Sequence, residues 1–185
     1  MMLNKNFFNL PNQLTILRVI LIPAFLIFLY FDTYVTNVIA AVIFAVASLT
    51  DFVDGYLARK YNIVTDIGKI LDPVADKILV ASSLIALMEL GRVEGVVVIL
   101  LLSRDFAVGA LRDLSASKGK IIAAGFSGKL KTVFQMIAVG FLIYKNNLIG
   151  IDIFFIGKIL IYLSVVLSIY SGVEYYIKFF AKINE

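Results

Sequence analysis

Six apolar runs separated by short polar stretches organise this chain. They cover residues 14–31, 35–57, 67–90, 93–112, 127–145 and 149–177, close to the roughly 20 mostly apolar residues that a helix needs to cross a bilayer. Inside lipid the backbone must satisfy its own hydrogen bonds, and a helix does so within one segment. The pattern therefore predicts an all-α, polytopic membrane protein with six transmembrane helices. Ahead of the first run, NKNFFNLPNQLT places Phe7, Phe8 and Leu10 before Pro11, which predicts a short N-terminal interfacial segment. Asn12 and Thr15 both suit a cap on the first span. No Gly/Ser linker or low-complexity tract interrupts the pattern, so residues 1–185 read as a single membrane domain.

Composition agrees with that class. Of the 185 residues, 61% are hydrophobic and the mean hydropathy is +0.97, whereas soluble domains sit near about 45–50% apolar. The first run is a poor signal peptide, because Arg18 and Pro23 interrupt it and no small-residue cleavage site follows. The net charge of +4 suits an anionic membrane surface or anionic substrates. Nucleic-acid binding is not expected, since the basic residues are tied to apolar spans and form no soluble basic face. The chain has no cysteine and no histidine. Disulfides, Cys/His zinc sites and histidine acid–base chemistry are thereby excluded. A metal here must be held by oxygen, which points to a hard cation such as Mg²⁺ or Mn²⁺.

An even number of spans puts both termini on one side. If that side is cytoplasmic, inner loops and tails hold Lys5, Arg59, Lys60, Lys118, Lys120, Lys178 and Lys182, against Arg92 and Lys145 outside. The lysine and arginine bias favours this orientation. It also brings four aspartates, Asp51, Asp54, Asp72 and Asp76, to the same depth as Arg104, Arg112, Lys129 and Lys131. Charges at membrane depth are costly enough to signal function.

The aspartates lie in DFVDGYLAR (51–59) and GKILDPVAD (68–76). Asp51 and Asp54 are three residues apart, and Gly68, Asp72 and Asp76 follow at steps of four, so each set shares one helical face. Four carboxylates converging there repel unless a cation neutralises them. One or two divalent ions would do so, and paired metals commonly clamp an in-line phosphoryl displacement. Gly55, Ala58 and Gly68 leave room for a ligand against the backbone, and Arg59 beside them can hold a phosphate. Pro73 removes a backbone donor inside the third span and predicts a kink.

Plainer readings exist for each part. A lone aspartate near a helix end is usually a cap, and small residues at such spacing usually pack helices. Lys129 and Lys131 can snorkel to headgroups. Arg104 lies too deep for that, with Asp105 as a possible partner. Arg18 is open between a phosphate contact and snorkelling. Tyr175 and Tyr176 read as an interfacial aromatic belt. Glu174 can pair with a cation, and Lys158 receives no role. Intramembrane charges also mark transport pathways, so a divalent-cation transporter is a rival reading, and a membrane scaffold is a third that leaves the convergent charges unexplained.

The two segments together resemble the CDP-alcohol phosphotransferase family, whose pattern is D-x-x-D-G-x-x-A-R, eight residues, then G-x-x-x-D-x-x-x-D. Every fixed position is matched by Asp51, Asp54, Gly55, Ala58, Arg59, Gly68, Asp72 and Asp76. Further stretches, LPNQLTILRVILIP, LDPVADKILVAS, SRDFAVGALR and SGKLKT, resemble the bacterial phosphatidylglycerophosphate synthase branch. Asp105 stands where that branch usually carries glutamate. The resemblance implies transfer of a phosphatidyl group from CDP-diacylglycerol to sn-glycerol 3-phosphate, with release of CMP. It implies Asp51, Asp54, Asp72 and Asp76 as ligands of two divalent cations, Mg²⁺ or Mn²⁺, and Asp76 as the base. Gly55, Ala58, Arg59 and Gly68 would line the CDP-diacylglycerol site. Arg104, Arg112, Lys129 and Lys131 sit where the acceptor phosphate must be held. A homodimer in a bacterial cell membrane, with its active site facing the cytoplasm, is implied as well. Siblings with another acceptor, a CDP-alcohol-type cardiolipin synthase or a phosphatidylinositol-phosphate synthase, remain alternatives.

Overall fold

The computed structural model describes the backbone of residues 10–61, 66–120, 122, 125–148 and 150–183, and their side chains apart from 10–12, 14, 51–61, 66–73 and 183. Helices account for nearly all of it: α1 (Leu10–Tyr30), α2 (Tyr34–Tyr61), α3 (Asp66–Glu89), α4 (Gly95–Ser117), α5 (Phe126–Tyr144) and α6 (Ile153–Ile183). A short antiparallel hairpin, β1 (Asn147–Leu148) and β2 (Ile151–Asp152), joins the last two. The chain is all-α in class, as the apolar runs predict. Among the described residues two helices, α5 and α6, are long and apolar enough to cross a membrane by length and composition. The described apolar stretches of α1 and α2 are Thr15–Tyr30 and Tyr34–Thr50. Charged residues such as Asp76, Lys77, Arg104 and Asp105 break up α3 and α4.

Helix ends differ from expectation in instructive ways. Helix α1 already includes Leu10 and Pro11. Asn12 and Thr15 therefore lie inside the helix, and Thr15 is buried, so neither is a cap. The part of the expected interfacial segment before Leu10 lies outside the described residues. Helix α4 runs on to Ser117 because buried positions continue through Val108 and Ser115. The sixth span does not start at 149. Gly150 takes φ +79°, a left-handed conformation that glycine tolerates best, and closes the hairpin. Asp152 then accepts a hydrogen bond from the Phe155 N–H at 3.0 Å and caps the new helix.

Helix α5 packs most extensively on α6, and α1 on α2; α1 also meets α3, and α4 meets α6. Gly157 makes the α5–α6 approach possible, since a Cβ there would stand 3.1 Å from Leu142 Cγ and from Phe141 Cβ. The main core joins Phe25, Leu29, Phe44, Leu79, Leu87, Leu101 and Leu142, with the Phe25 and Phe44 rings edge to face at 6.2 Å. A smaller cluster of Val108, Ile122, Tyr175 and Phe179 lies toward the other end. Tyr175 is thus buried inside the protein and does not belong to an interfacial belt; its neighbour Tyr176 is exposed. A helix cannot turn adjacent residues to the same side, so one belongs to the core and the other faces out.

Arg92, expected as a loop charge, is 2% exposed. Its guanidinium donates to the Leu142 and Ile143 carbonyls, both at 2.9 Å, which closes the C-terminus of α5. It also bonds Asn37 Oδ1 at 3.0 Å and pairs with Asp32, which Lys145 reaches at 3.0 Å. Arg92→Leu would strand these acceptors and is expected to cost about 3 kcal/mol, read as a lower thermal midpoint in detergent; an unchanged midpoint would remove the clamp role. Burial disfavours the Asp32 carboxylate, but hydrogen bonds from Asn37 and Lys145 and the charges of Arg92 and Lys145 outweigh it. The Asp32 pKa is held below the usual carboxylate range. Its contribution is therefore complete above about pH 3.9 and is lost as pH falls through the lowered folded value.

Candidate active site

Between the two apolar clusters, α3, α4 and α5 enclose a cavity of about 240 Å³. Its apolar walls come from Val80, Leu102, Val108 and Met136. Its polar lining is dense: Asp76 and Lys77 from α3, Arg104, Asp105, Arg112 and Asp113 from α4, Lys131 and Gln135 from α5. Four cations face three carboxylates there, a balance that suits an anion. Steps of three and four residues along α4 (Asp105, Gly109, Arg112) and along α5 (Lys131, Gln135) stack these groups on the faces turned to the cavity.

Lys131 is 3% exposed and sits between both Asp105 carboxylate oxygens, at 2.6 Å each. Charge-assisted bonds of that length hold a long side chain in one place. Asp76 lines the same cavity as Lys131. Arg104 reaches Asp105 at 3.2 Å, the Ser168 carbonyl at 3.0 Å and Ser171 Oγ at 2.7 Å. Gly172 admits its stem, since a Cβ there would lie 3.2 Å from Arg104 Cγ. Arg104 thus fastens α4 to α6 through its bonds to Ser168 and Ser171, and its pairing with Asp105 is the one expected from sequence.

Arg112 is more open. Its guanidinium carbon lies 6.0 Å from the Tyr175 ring centre, at the limit of a cation–π contact, and among the described residues no carboxylate pairs with it. Lys77 crosses Gly109 so closely that a Cβ there would stand 2.5 Å from its Nζ. Lys129 is exposed and does not line the cavity; two residues from Lys131, it falls on the other side of the helix. Arg18 is fully buried, which excludes snorkelling, and it does not line this cavity. Glu174 does pair with a cation, Lys178, at 2.5 Å, and accepts from Ser127 at 2.6 Å, tying the start of α5 to α6.

Asp51, Asp54, Gly55, Ala58 and Arg59 fall in the last turns of α2, and Gly68 and Asp72 in the first turns of α3. Their side chains lie outside the described residues. Among the described residues no three His, Cys, Asp or Glu side chains converge as a metal cage. Asp76 is the one member of the aspartate set whose side chain is described, and it borders the cavity. As an oxygen donor it fits a hard divalent cation.

Sequence reasoning missed Lys77, Asp113 and Gln135. The four-residue step from Lys131 was a usable signal for Gln135, whereas Lys77 is brought in by packing against Gly109.

The family model described as CDP-alcohol phosphatidyltransferase matches residues 8–170. A Bacillus subtilis (strain 168) protein named CDP-diacylglycerol--glycerol-3-phosphate 3-phosphatidyltransferase is 40% identical over 183 residues, covering 92% of this chain and 95% of its own. Proteins of the same name from Rickettsia bellii, 38% identical over 171 residues with 91% and 93% covered, and from Haemophilus influenzae, 40% identical over 173 residues with 91% of each covered, are also similar. With the family model spanning most of its length and such relatives aligned nearly end to end, the chain belongs to the CDP-alcohol phosphatidyltransferase family.

Proposed function

We propose that this protein transfers the phosphatidyl group of CDP-diacylglycerol to sn-glycerol 3-phosphate, giving phosphatidylglycerol phosphate and CMP. The observation that carries the reading is the cavity in which Asp76 shares one lining with Arg112 and Lys131. It offers a proton acceptor and an anion-binding wall to the same small molecule. Relatives over most of the chain are named for this reaction.

The mechanism follows from those groups. Arg112 and Lys131 hold the acceptor phosphate, while Arg104 and Asp105 fix Lys131 in place. Orientation of this kind converts an encounter into a near-attack geometry. Asp76 takes the proton of the 1-hydroxyl. The hydroxyl oxygen forms a bond to the phosphorus bearing diacylglycerol, the bond from that phosphorus to the bridging oxygen breaks, and CMP leaves with the electron pair. Gly55, Ala58, Arg59 and Gly68 receive the CDP part of the donor. Asp51, Asp54, Asp72 and Asp76 would hold two divalent cations, Mg²⁺ or Mn²⁺, which would supply charge neutralisation for the pyrophosphate. Lys129, exposed beside the site, faces lipid headgroups.

The reading places one domain over residues 1–185 in a bacterial cell membrane, with all six helices spanning, both termini and the site on the cytoplasmic side, and two copies paired as a homodimer. Large apolar side chains turned outward support it, among them Ile20, Val42, Ile85, Ile99, Val133 and Val166, one from each helix.

The test is CMP release by the purified protein in detergent with CDP-diacylglycerol and Mg²⁺. Glycerol 3-phosphate, inositol phosphate, phosphatidylglycerol or no acceptor would be supplied, with and without EDTA. Release is expected with glycerol 3-phosphate, and it should vanish on chelation and return with Mg²⁺. Release with a different acceptor would overturn the acceptor assignment, and release in EDTA would overturn the metal.

A further inference from the structure

Gln135 presents the one cavity-lining side chain, among the described residues, that holds a buried polar atom without a hydrogen-bond partner. The residue is 2% exposed, and its amide nitrogen Nε2 is the unmatched group. A buried donor left unmade is costly, so such a group calls for an explanation. Other described orphans are placed differently: Arg92 Nε is in the clamp at the far end of the bundle, and Tyr175 Oη is in the smaller apolar cluster.

The position of Gln135 narrows what would satisfy it. It lies one turn beyond Lys131 on α5, about 6 Å along the axis, and the next turn carries the core residues Ala138 and Val139. Leu102, Val80 and Met136 surround the same space. Arg112 and Asp113 are exposed whereas Gln135 is buried, so the amide is a neutral donor and acceptor at depth. Neutral amides match hydroxyls, which also both donate and accept, whereas the phosphate of an acceptor is better served by Arg112 and Lys131.

We infer that Gln135 is a specificity-determining residue that hydrogen-bonds the non-reacting hydroxyl of a phosphorylated polyol, here the middle hydroxyl of glycerol 3-phosphate. The inference rests on the proposed reaction and deepens it. The two ends of that acceptor are taken up by Asp76 and by the cations, which leaves the middle carbon facing the third wall. A site built to bond a substrate hydroxyl rejects an analogue lacking it, because its own buried group is left unpaired.

The experiment compares glycerol 3-phosphate with 3-hydroxypropyl phosphate, which keeps the reacting hydroxyl and the phosphate but lacks the middle hydroxyl. For the full-length protein in detergent, kcat/KM is expected to favour glycerol 3-phosphate by on the order of 100-fold or more. In Gln135→Leu and Gln135→Met the preference is expected to fall to within about threefold, mostly by loss of activity on glycerol 3-phosphate. Their thermal midpoints should equal or exceed that of the wild type, since an unmatched buried donor is removed. Equal loss on both acceptors, a lower midpoint with the preference intact, or a wild type that does not discriminate would each overturn the assignment. A wild type that releases CMP with neither acceptor would instead bring down the proposed reaction, and this inference with it.

Discussion

Asp76→Asn is expected to reduce kcat for CMP release by at least about 10³-fold, within the range associated with positioned general bases. Asparagine keeps the size of the side chain and its place at the cavity edge, but it cannot take a proton at neutral pH and is a weaker ligand for a hard cation. A thousandfold loss corresponds to about 4 kcal/mol of transition-state stabilisation. Folding should survive, because Asp76 is only half-buried while its neighbour Leu79 carries the packing of that part of α3. The check is turnover measured beside helix content and thermal midpoint of the same preparation. Activity within about tenfold of wild type would exclude Asp76 as the base.

Lys131→Met should raise KM for glycerol 3-phosphate by about 10- to 100-fold, the value of one or two charge-assisted hydrogen bonds, with a smaller change in kcat. Methionine fills the space of the buried stem but leaves the Asp105 carboxylate with Arg104 alone, at 3.2 Å. The Asp105 charge is then less fully neutralised beside the acceptor phosphate, so the variant suffers added repulsion as well as lost attraction. Lys131→Arg restores the charge and should recover part of the affinity. The KM for CDP-diacylglycerol should stay near the wild-type value. An effect confined to the lipid donor would move Lys131 to the other substrate's site. Lys129→Met supplies the contrast: exposed and away from the cavity, it should leave the acceptor KM within about twofold, as surface charges in high dielectric are worth little.

Pattern alone carried the helical architecture of this protein. Long apolar runs separated by short polar stretches favour helices, which satisfy each N–H and C=O within one segment, and the observed helices fall on the six runs. Their ends were less legible. Thr15 looks like a cap and is a buried residue of α1, because the helix already includes Leu10. The hairpin at Asn147–Asp152 depends on one left-handed glycine and one capping aspartate, local features that an apolar count passes over.

The chemistry of the site was also written in residue types. An absence of cysteine and histidine leaves carboxylates, arginines and lysines, and their spacing on helices limits which can meet. Spacing cannot say which helix lies beside which, or how each is turned about its axis. That rotation is set by burial over the whole bundle, and it separates residues that look alike in sequence. It puts Lys131 into the cavity and Lys129 outside it, buries Tyr175 and exposes Tyr176, and makes Arg92 a clamp where a loop charge was expected. It also makes Gln135 a wall of the site. Residue identity and period determined which chemistry is available and that the chain is helical; the packing of helix against helix, a sum of many weak contacts made between distant parts of the chain, decided which side chains line the cavity.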